Sequence, residues 1–150
     1  PQTMQDAPHY LDVVGEVRTF LADRVLACQF AGIDPKRLLV DPGFGFGKTL
    51  EHNLALLANL RALTGIGAGL LVGMSRKRMI GEITERALDG RTPGSVAAAL
   101  LAAQQGAIIV RVHDVRETVD ALRVLAAVLP HRARAKPGKA ASKSPWDDED

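Results

Sequence analysis

The chain has 150 residues, enough for one domain with its own core, and its 47% hydrophobic and 24% charged residues are ordinary for a soluble globular protein. A formal net charge of +2, from 19 Lys and Arg against 17 Asp and Glu, is too small to argue for nucleic acid or a membrane surface as partner. The single cysteine, Cys28, excludes an intrachain disulfide, and the longest apolar stretch, residues 96–103, is far short of the roughly 20 residues a membrane span needs.

Apolar residues recur at Val14, Val17, Leu21, Val25 and Cys28, which predicts a first helix with this stripe inward. Cys28 then reads as a buried, inert thiol suited to a reducing cytoplasm. Gly32 is placed to stop the helix and Asp34-Pro35 to turn the chain. Leu38-Leu39-Val40 forms a short apolar strand ending at Asp41. Thr49 suits the N-cap of a second helix with Leu50, Leu54 and Leu57 buried, and with His52 and Asn53 facing solvent. After Gly65 and Gly67 comes a second strand, Leu70-Leu71-Val72, ending at Gly73, and a helix over 78–86. Thr92-Pro93 opens an alanine-rich helix to Gln105, with Gly106 beyond its end. Residues 107–110 form a third strand, and Val115, Val119, Leu122, Ala126 and Leu129 give a last helix an apolar stripe.

Uninterrupted apolar strands alternating with amphipathic helices predict an α/β fold with a parallel, helix-covered sheet. The strand ends at Asp41, Gly73 and Arg111 keep the rhythm of an eight-fold β/α barrel, at about 31 residues per unit. Three strands cannot close such a barrel, so a self-contained open sheet is the competing reading. No signal peptide is visible, and the start at Pro1 leads us to expect further sequence upstream. Residues 131–150 turn to Arg, Lys, Ala and Pro and close on an acidic run, which predicts a disordered tail with Trp146 solvated or loosely docked.

VDPGFGFGKT, residues 40–49, has the look of a phosphate loop. The P-loop pattern would need its first glycine at Pro42, and the dinucleotide fingerprint its third at Lys48. Both fail on register. What remains is a glycine-rich loop leaving a strand, with Phe44 and Phe46 either packed beneath it or offering flat apolar faces.

Ligands of parallel α/β folds bind at the carboxyl ends of the strands. Here those ends carry Asp41, then Ser75-Arg76-Lys77, then Arg111 and His113. One carboxylate, several cations and an imidazole suit a ligand with a donor-rich edge and an anionic group. Blander roles are open to the neighbours: Lys48 as a surface charge, Asp114 as the last helix's cap, and Arg76 and Arg78 as solvating groups.

DPGFGFGK (41–48), LLVGMSRK (70–77) and RVHDV (111–115) resemble three C-terminal signature segments of the dihydropteroate synthase family. PQTMQ (1–5) resembles the end of that family's preceding loop, so the resemblance runs from residue 1 to about 129. It implies a partial (β/α)8 TIM barrel over residues 1–130, the last three strand–helix units plus one preceding helix, followed by the tail 131–150. It implies a cytoplasmic folate-pathway transferase that condenses 6-hydroxymethyl-7,8-dihydropterin diphosphate with para-aminobenzoate and releases diphosphate. On this resemblance Asp41, Lys77, Phe46 and Gly73 bind the pterin, Arg111 and His113 hold the diphosphate, and Ser75 and Arg76 lie on the aminobenzoate side. No covalent nucleophile is expected.

Magnesium would assist the diphosphate, its protein ligand expected upstream of residue 1 rather than in this chain. A homodimer is expected of the full-length protein, with no nucleic acid or membrane partner. The family's first five strands are absent from this sequence, so residues 1–150 alone are expected to be inactive and poorly folded. Two other readings stand beside this one. One is a non-catalytic pterin- or partner-binding half; the other is a methyltetrahydrofolate methyltransferase-type barrel, which has no diphosphate for the 75–77 and 111–114 segments to hold.

Overall fold

A computed structural model describes residues 7–131. The expectations for PQTMQ, for Trp146 and for the tail beyond His131 lie outside the described residues.

Helix α1 spans Val13–Phe30 and is capped by Asp12, whose carboxylate accepts from the Gly15 N–H at 3.0 Å. Val13, Val17 and Leu21 are buried, and Val14 and Val25 pack against the core's margin. Burial fades along the helix, so Cys28 is half-buried rather than the enclosed thiol the sequence suggested. Gly32, at φ +87°, ends the helix as expected.

Strand β1 is Leu39–Val40, β2 is Gly69–Val72 and β3 is Ala107–Val110. They form one parallel sheet in the order β1-β2-β3. Leu39 pairs with Gly69 and Val72 with Val110, with a register irregularity between Leu70 and Leu71. The Arg111 N–H donates to the Val72 carbonyl at 2.8 Å, carrying the β2–β3 ladder one residue further and bringing Arg111 beside Gly73.

Helix α2, Leu50–Ala58, begins at Thr49 in a reciprocal capping box: the His52 N–H donates to Thr49 Oγ1 and the Thr49 N–H to His52 Nδ1, both at 3.2 Å. Its buried face is Asn53, Leu56 and Leu57, so the expected stripe of Leu50, Leu54 and Leu57 is corrected by a rotation that turns Asn53 inward. Helix α3 is Arg78–Thr84, ending at Glu85 with φ +54°, two residues short of the expected limit. Helix α4, Thr92–Gln104, buries Ser95, Ala98, Ala99 and Ala102, small side chains that let it approach its neighbours closely.

The last helix, α5, spans Val115–Val128 and buries only Thr118. The apolar stripe read from the sequence is real, but Val115, Val119, Val128 and Leu129 are exposed, as are Ile108 and Ile109 of β3. An apolar period reports that a face needs a partner; α4 covers part of α5, and the described residues leave the rest of the stripe exposed.

Phe44, Leu56, Leu60, Leu63, Leu70 and Val72 are fully enclosed at the centre of the core. The architecture is therefore α/β, with three parallel strands whose carboxyl ends share one side. No helix among the described residues is long and apolar enough to cross a membrane.

Candidate active site

The first strand-end loop is built around three side chains that hold its backbone. Asp41 Oδ1 accepts from the Gly43 N–H at 2.8 Å, an Asx turn that starts the loop directly off β1. Asn53, 3% exposed, accepts from the Gly45 N–H at 2.9 Å and donates to the Thr49 carbonyl at 2.8 Å. A polar side chain facing the core is corrected by its hydrogen bonds, which is why Asn53 is buried and not solvent-facing. Lys48 Nζ donates to the carbonyls of Gly43 and Phe46, each at 3.1 Å, and is half-buried rather than a free surface charge. Burial pushes its pKa down, partly opposed by Asp41.

The two phenylalanines part company. Phe44 goes wholly into the core, whereas Phe46 is 53% exposed and stands over the Lys77 ammonium, 4.5 Å from ring centroid to Nζ. Lys77 Nζ also donates to the Phe44 carbonyl. Gly45 makes this approach possible: its φ is +78°, and a Cβ there would sit 3.1 Å from Lys77 Cδ. Burial lowers the Lys77 pKa; Asp41 opposes the shift, and Arg111 and Lys48 deepen it. Groups from the first and third strand ends thus act electrostatically on an ammonium from the second.

At the second and third strand ends, Gly73 is the seat of a guanidinium. A Cβ on Gly73 would lie 2.7 Å from Arg111 Nη2 and 3.1 Å from Cζ, so any larger residue would displace the planar head from this position against the backbone. Ser75 is buried, and its Oγ accepts the His113 N–H at 3.2 Å and lies 2.9 Å from His113 Nδ1. Arg76 has φ +58°, a conformation held from outside: its N–H donates to Ser95 Oγ at 2.9 Å, and Arg91 Nη1 donates to its carbonyl at 3.0 Å. Its guanidinium pairs with Asp114, Nε to Oδ2 at 3.1 Å and Nη2 to Oδ1. The expected cap role of Asp114 is corrected accordingly. Its main chain starts α5, but its carboxylate serves Arg76. Arg78 is exposed and pairs with Glu82.

Gly73, Ser75, Arg76, Lys77, Arg111 and His113 line one open cleft of about 510 Å³. Asp41 opens on a separate cleft of about 410 Å³ with Tyr10 and Lys48, where the Tyr10 ring lies 5.8 Å from Lys48 Nζ, yet its charge still reaches Lys77. A cluster of cations with an imidazole in one cleft and a carboxylate beside it is suited to an anionic group carried by a hydrogen-bonding ring.

Residues 1–113 match the family described as "Pterin binding enzyme". The chain belongs to the pterin-binding enzyme family.

Among curated relatives, dihydropteroate synthase of Escherichia coli K12 is 52% identical over 129 residues, covering 86% of this chain and 46% of the relative. That of Neisseria meningitidis serogroup C is 54% identical over 125 residues, covering 82% of this chain and 44% of its own. Among solved structures, dihydropteroate synthase from Xanthomonas albilineans in complex with 7,8-dihydropteroate superposes with a TM-score of 0.80 at 58% identity, over 81% of this chain and 47% of that one. The Stenotrophomonas maltophilia enzyme gives 0.83 at 51% identity, over 87% and 49%. The chain thus spans about half the length of the relatives it matches.

In this family member the residues that sequence reasoning missed are the supports: Asn53, Ser95 and Arg91. Asn53 carried a faint signal, an amide in the first turn of a helix that follows a glycine-rich loop. Replacing Asn53 with Ala removes both of its hydrogen bonds to the loop, and the full-length protein is expected to lose about 1–3 kcal/mol in urea unfolding. An unchanged midpoint would show that the loop does not depend on it.

Arg76, bonded to Asp114, holds that carboxyl below the ordinary value of 3.8, and Asp114 in turn raises the Arg76 pKa. A depressed folded-state pKa means that the unfolded chain binds the proton first. The stabilisation is therefore complete above the ordinary value and fades as pH falls through the lowered one. Urea unfolding is expected to show the stability gap between wild type and Asp114→Asn shrinking as pH falls below the ordinary carboxylate value of 3.8. A gap that widens over this range would contradict the assigned pair.

Among the described residues no group of three or more His, Cys, Asp and Glu side chains could hold a metal ion. The strand ends offer ammonium and guanidinium groups beside isolated carboxylates, so the described residues contribute no magnesium site, and the resemblance places that ion's protein ligand outside them.

Proposed function

We propose that this chain is the C-terminal half of a dihydropteroate synthase, a transferase of folate biosynthesis. In this reading residues 1–130 supply the last three strand–helix units and one preceding helix of a (β/α)8 barrel. The observation that carries the proposal is the cleft where the Gly73-seated Arg111, the Ser75-bonded His113 and Lys77 meet, beside Asp41. Support for the substrates comes from the relatives. One Xanthomonas albilineans structure holds 7,8-dihydropteroate and another 4-aminobenzoic acid, at 58% identity to this chain.

The chemistry follows from the side chains. Asp41 accepts the pterin's ring N–H and 2-amino hydrogens, a paired edge suited to a carboxylate. Lys77 approaches the pterin's carbonyl side, with Phe46 and Gly73 lining the ring's cavity. Arg111 and His113 hold the diphosphate, which leaves with the C–O bonding electrons. Charge develops on the methylene carbon, the arylamine nitrogen forms the new C–N bond, and that nitrogen then loses a proton. Ser75 and Arg76 lie on the aminobenzoate side. Orientation and stabilisation of the departing anion do the work, with no covalent intermediate on the protein. No step is assigned to magnesium, since the described residues hold no site for it. A homodimer in the cytoplasm, without nucleic acid or membrane partners, belongs to the same reading and rests on the family resemblance. A methyltetrahydrofolate methyltransferase-type barrel is less suited to the site, because it gives the Arg111–His113 pair nothing to hold.

The test uses both substrates with the full-length protein, following diphosphate release and dihydropteroate formation. Turnover that requires para-aminobenzoate is expected, together with none from residues 1–150 alone and restored synthesis when the N-terminal half is supplied separately. A full-length protein that binds neither substrate would overturn the proposal. Pterin binding without turnover would favour a non-catalytic pterin-binding role.

A further inference from the structure

The β2–β3 ladder places the turn after Gly73 against the turn after Val110, and one contact between them has a chemical consequence. Ser75, 7% exposed, accepts the His113 main-chain N–H at 3.2 Å, and its Oγ is 2.9 Å from His113 Nδ1. A serine hydroxyl has one hydrogen and two lone pairs. The amide N–H occupies one lone pair, which leaves the hydroxyl hydrogen to be satisfied. Among the described residues the Ser75 side chain hydrogen-bonds only to His113, so Nδ1 is the one acceptor there for that hydrogen, which favours donation from Oγ to Nδ1 over the reverse. A neutral imidazole accepting at Nδ1 carries its own proton on Nε2.

His113 is itself exposed and lines the cleft with Arg111. We infer that Ser75 is a positioning residue for His113, fixing both its ring orientation and its tautomer. Nε2–H then supplies a donor beside the Arg111 guanidinium for an oxyanion of a diphosphate group. The opposite tautomer would turn a nitrogen lone pair toward those oxygens and repel them. This role differs from the aminobenzoate-side role implied by the resemblance, and its ligand rests on the diphosphate reading above.

The decisive measurement is the two-bond 1H–15N correlation spectrum of histidine in the 15N-labelled full-length protein, at about pH 8, where an ordinary imidazole is neutral. His113 is assigned by its loss in His113→Gln. Wild type is expected to show the Nε2–H pattern. Ser75→Ala is expected to show mixed tautomers and about 3- to 10-fold weaker binding of inorganic diphosphate, with affinity for a pterin lacking diphosphate unchanged. Ser75→Thr, which keeps the hydroxyl, should restore both. An Nδ1–H pattern in wild type, or an unchanged pattern in Ser75→Ala, overturns the inference without any binding data. Wild type that shows the Nε2–H pattern but binds no diphosphate supports the tautomer assignment and overturns the diphosphate reading instead.

Discussion

Replacing Arg111 with Lys in the full-length protein is expected to weaken binding of dihydropterin diphosphate about 10- to 100-fold, roughly 1.4–2.8 kcal/mol. A pterin lacking the diphosphate should bind within about twofold of wild type. Charge is conserved in this substitution; geometry is not. The Arg111 head rests on Gly73, where even a Cβ would be 2.7 Å from Nη2, so the site is shaped for a planar group. A guanidinium offers phosphate oxygens a rigid two-pronged donor set, whereas an ammonium is a point charge on a flexible stem. Titration calorimetry with the two ligands separates the outcomes. Equal weakening for both would assign Arg111 to the ring, or to the loop's stability, and not to the anion.

Phe44→Ala is expected to destabilise the full-length protein by about 3–5 kcal/mol, the range for emptying a well-packed aromatic site. Phe44 is wholly enclosed among the core residues of the sheet and helices, while its own carbonyl receives the Lys77 ammonium. Its loss should therefore lower the urea midpoint and weaken pterin binding together. Phe46→Ala is the contrasting case. That ring is half in solvent, so stability should stay within about 0.5 kcal/mol of wild type while the Lys77 face loses its cover. If Phe44→Ala proved as mild as Phe46→Ala, the loop would not be anchored through its first phenylalanine.

These two rings show where sequence reading reaches its limit. GFGF offers two equivalent aromatics in a loop with no period, and hydropathy ranks them the same. The choice belongs to the path of the backbone. Gly43 and Gly45 both take positive φ, and Asn53 ties Gly45 to α2, which together send Phe44 inward and Phe46 outward. Asp114 is a similar case. Its place before a helix predicted a cap, but the guanidinium that claims its carboxylate belongs to Arg76, on the preceding strand–loop unit. Helix α5 failed in a different way. Its period was legible, but whether the stripe is covered depends on neighbours outside the helix, and among the described residues α4 covers only part of it.

The alternation of apolar strands with amphipathic helices, the caps at Thr49 and Gly32, and the polar residues at three strand ends were all legible in the sequence. Each depends on residues a few positions apart, whose steric and hydrogen-bonding preferences act within a turn or a strand. Tertiary structure alone decided that Gly73 faces the Arg111 head, that Ser75 meets His113, and that Ser95 and Arg91 hold Arg76 in a left-handed conformation. Those contacts join residues 15 to 38 positions apart, and only the pairing of β2 with β3 and the packing of α4 against them bring the partners within reach.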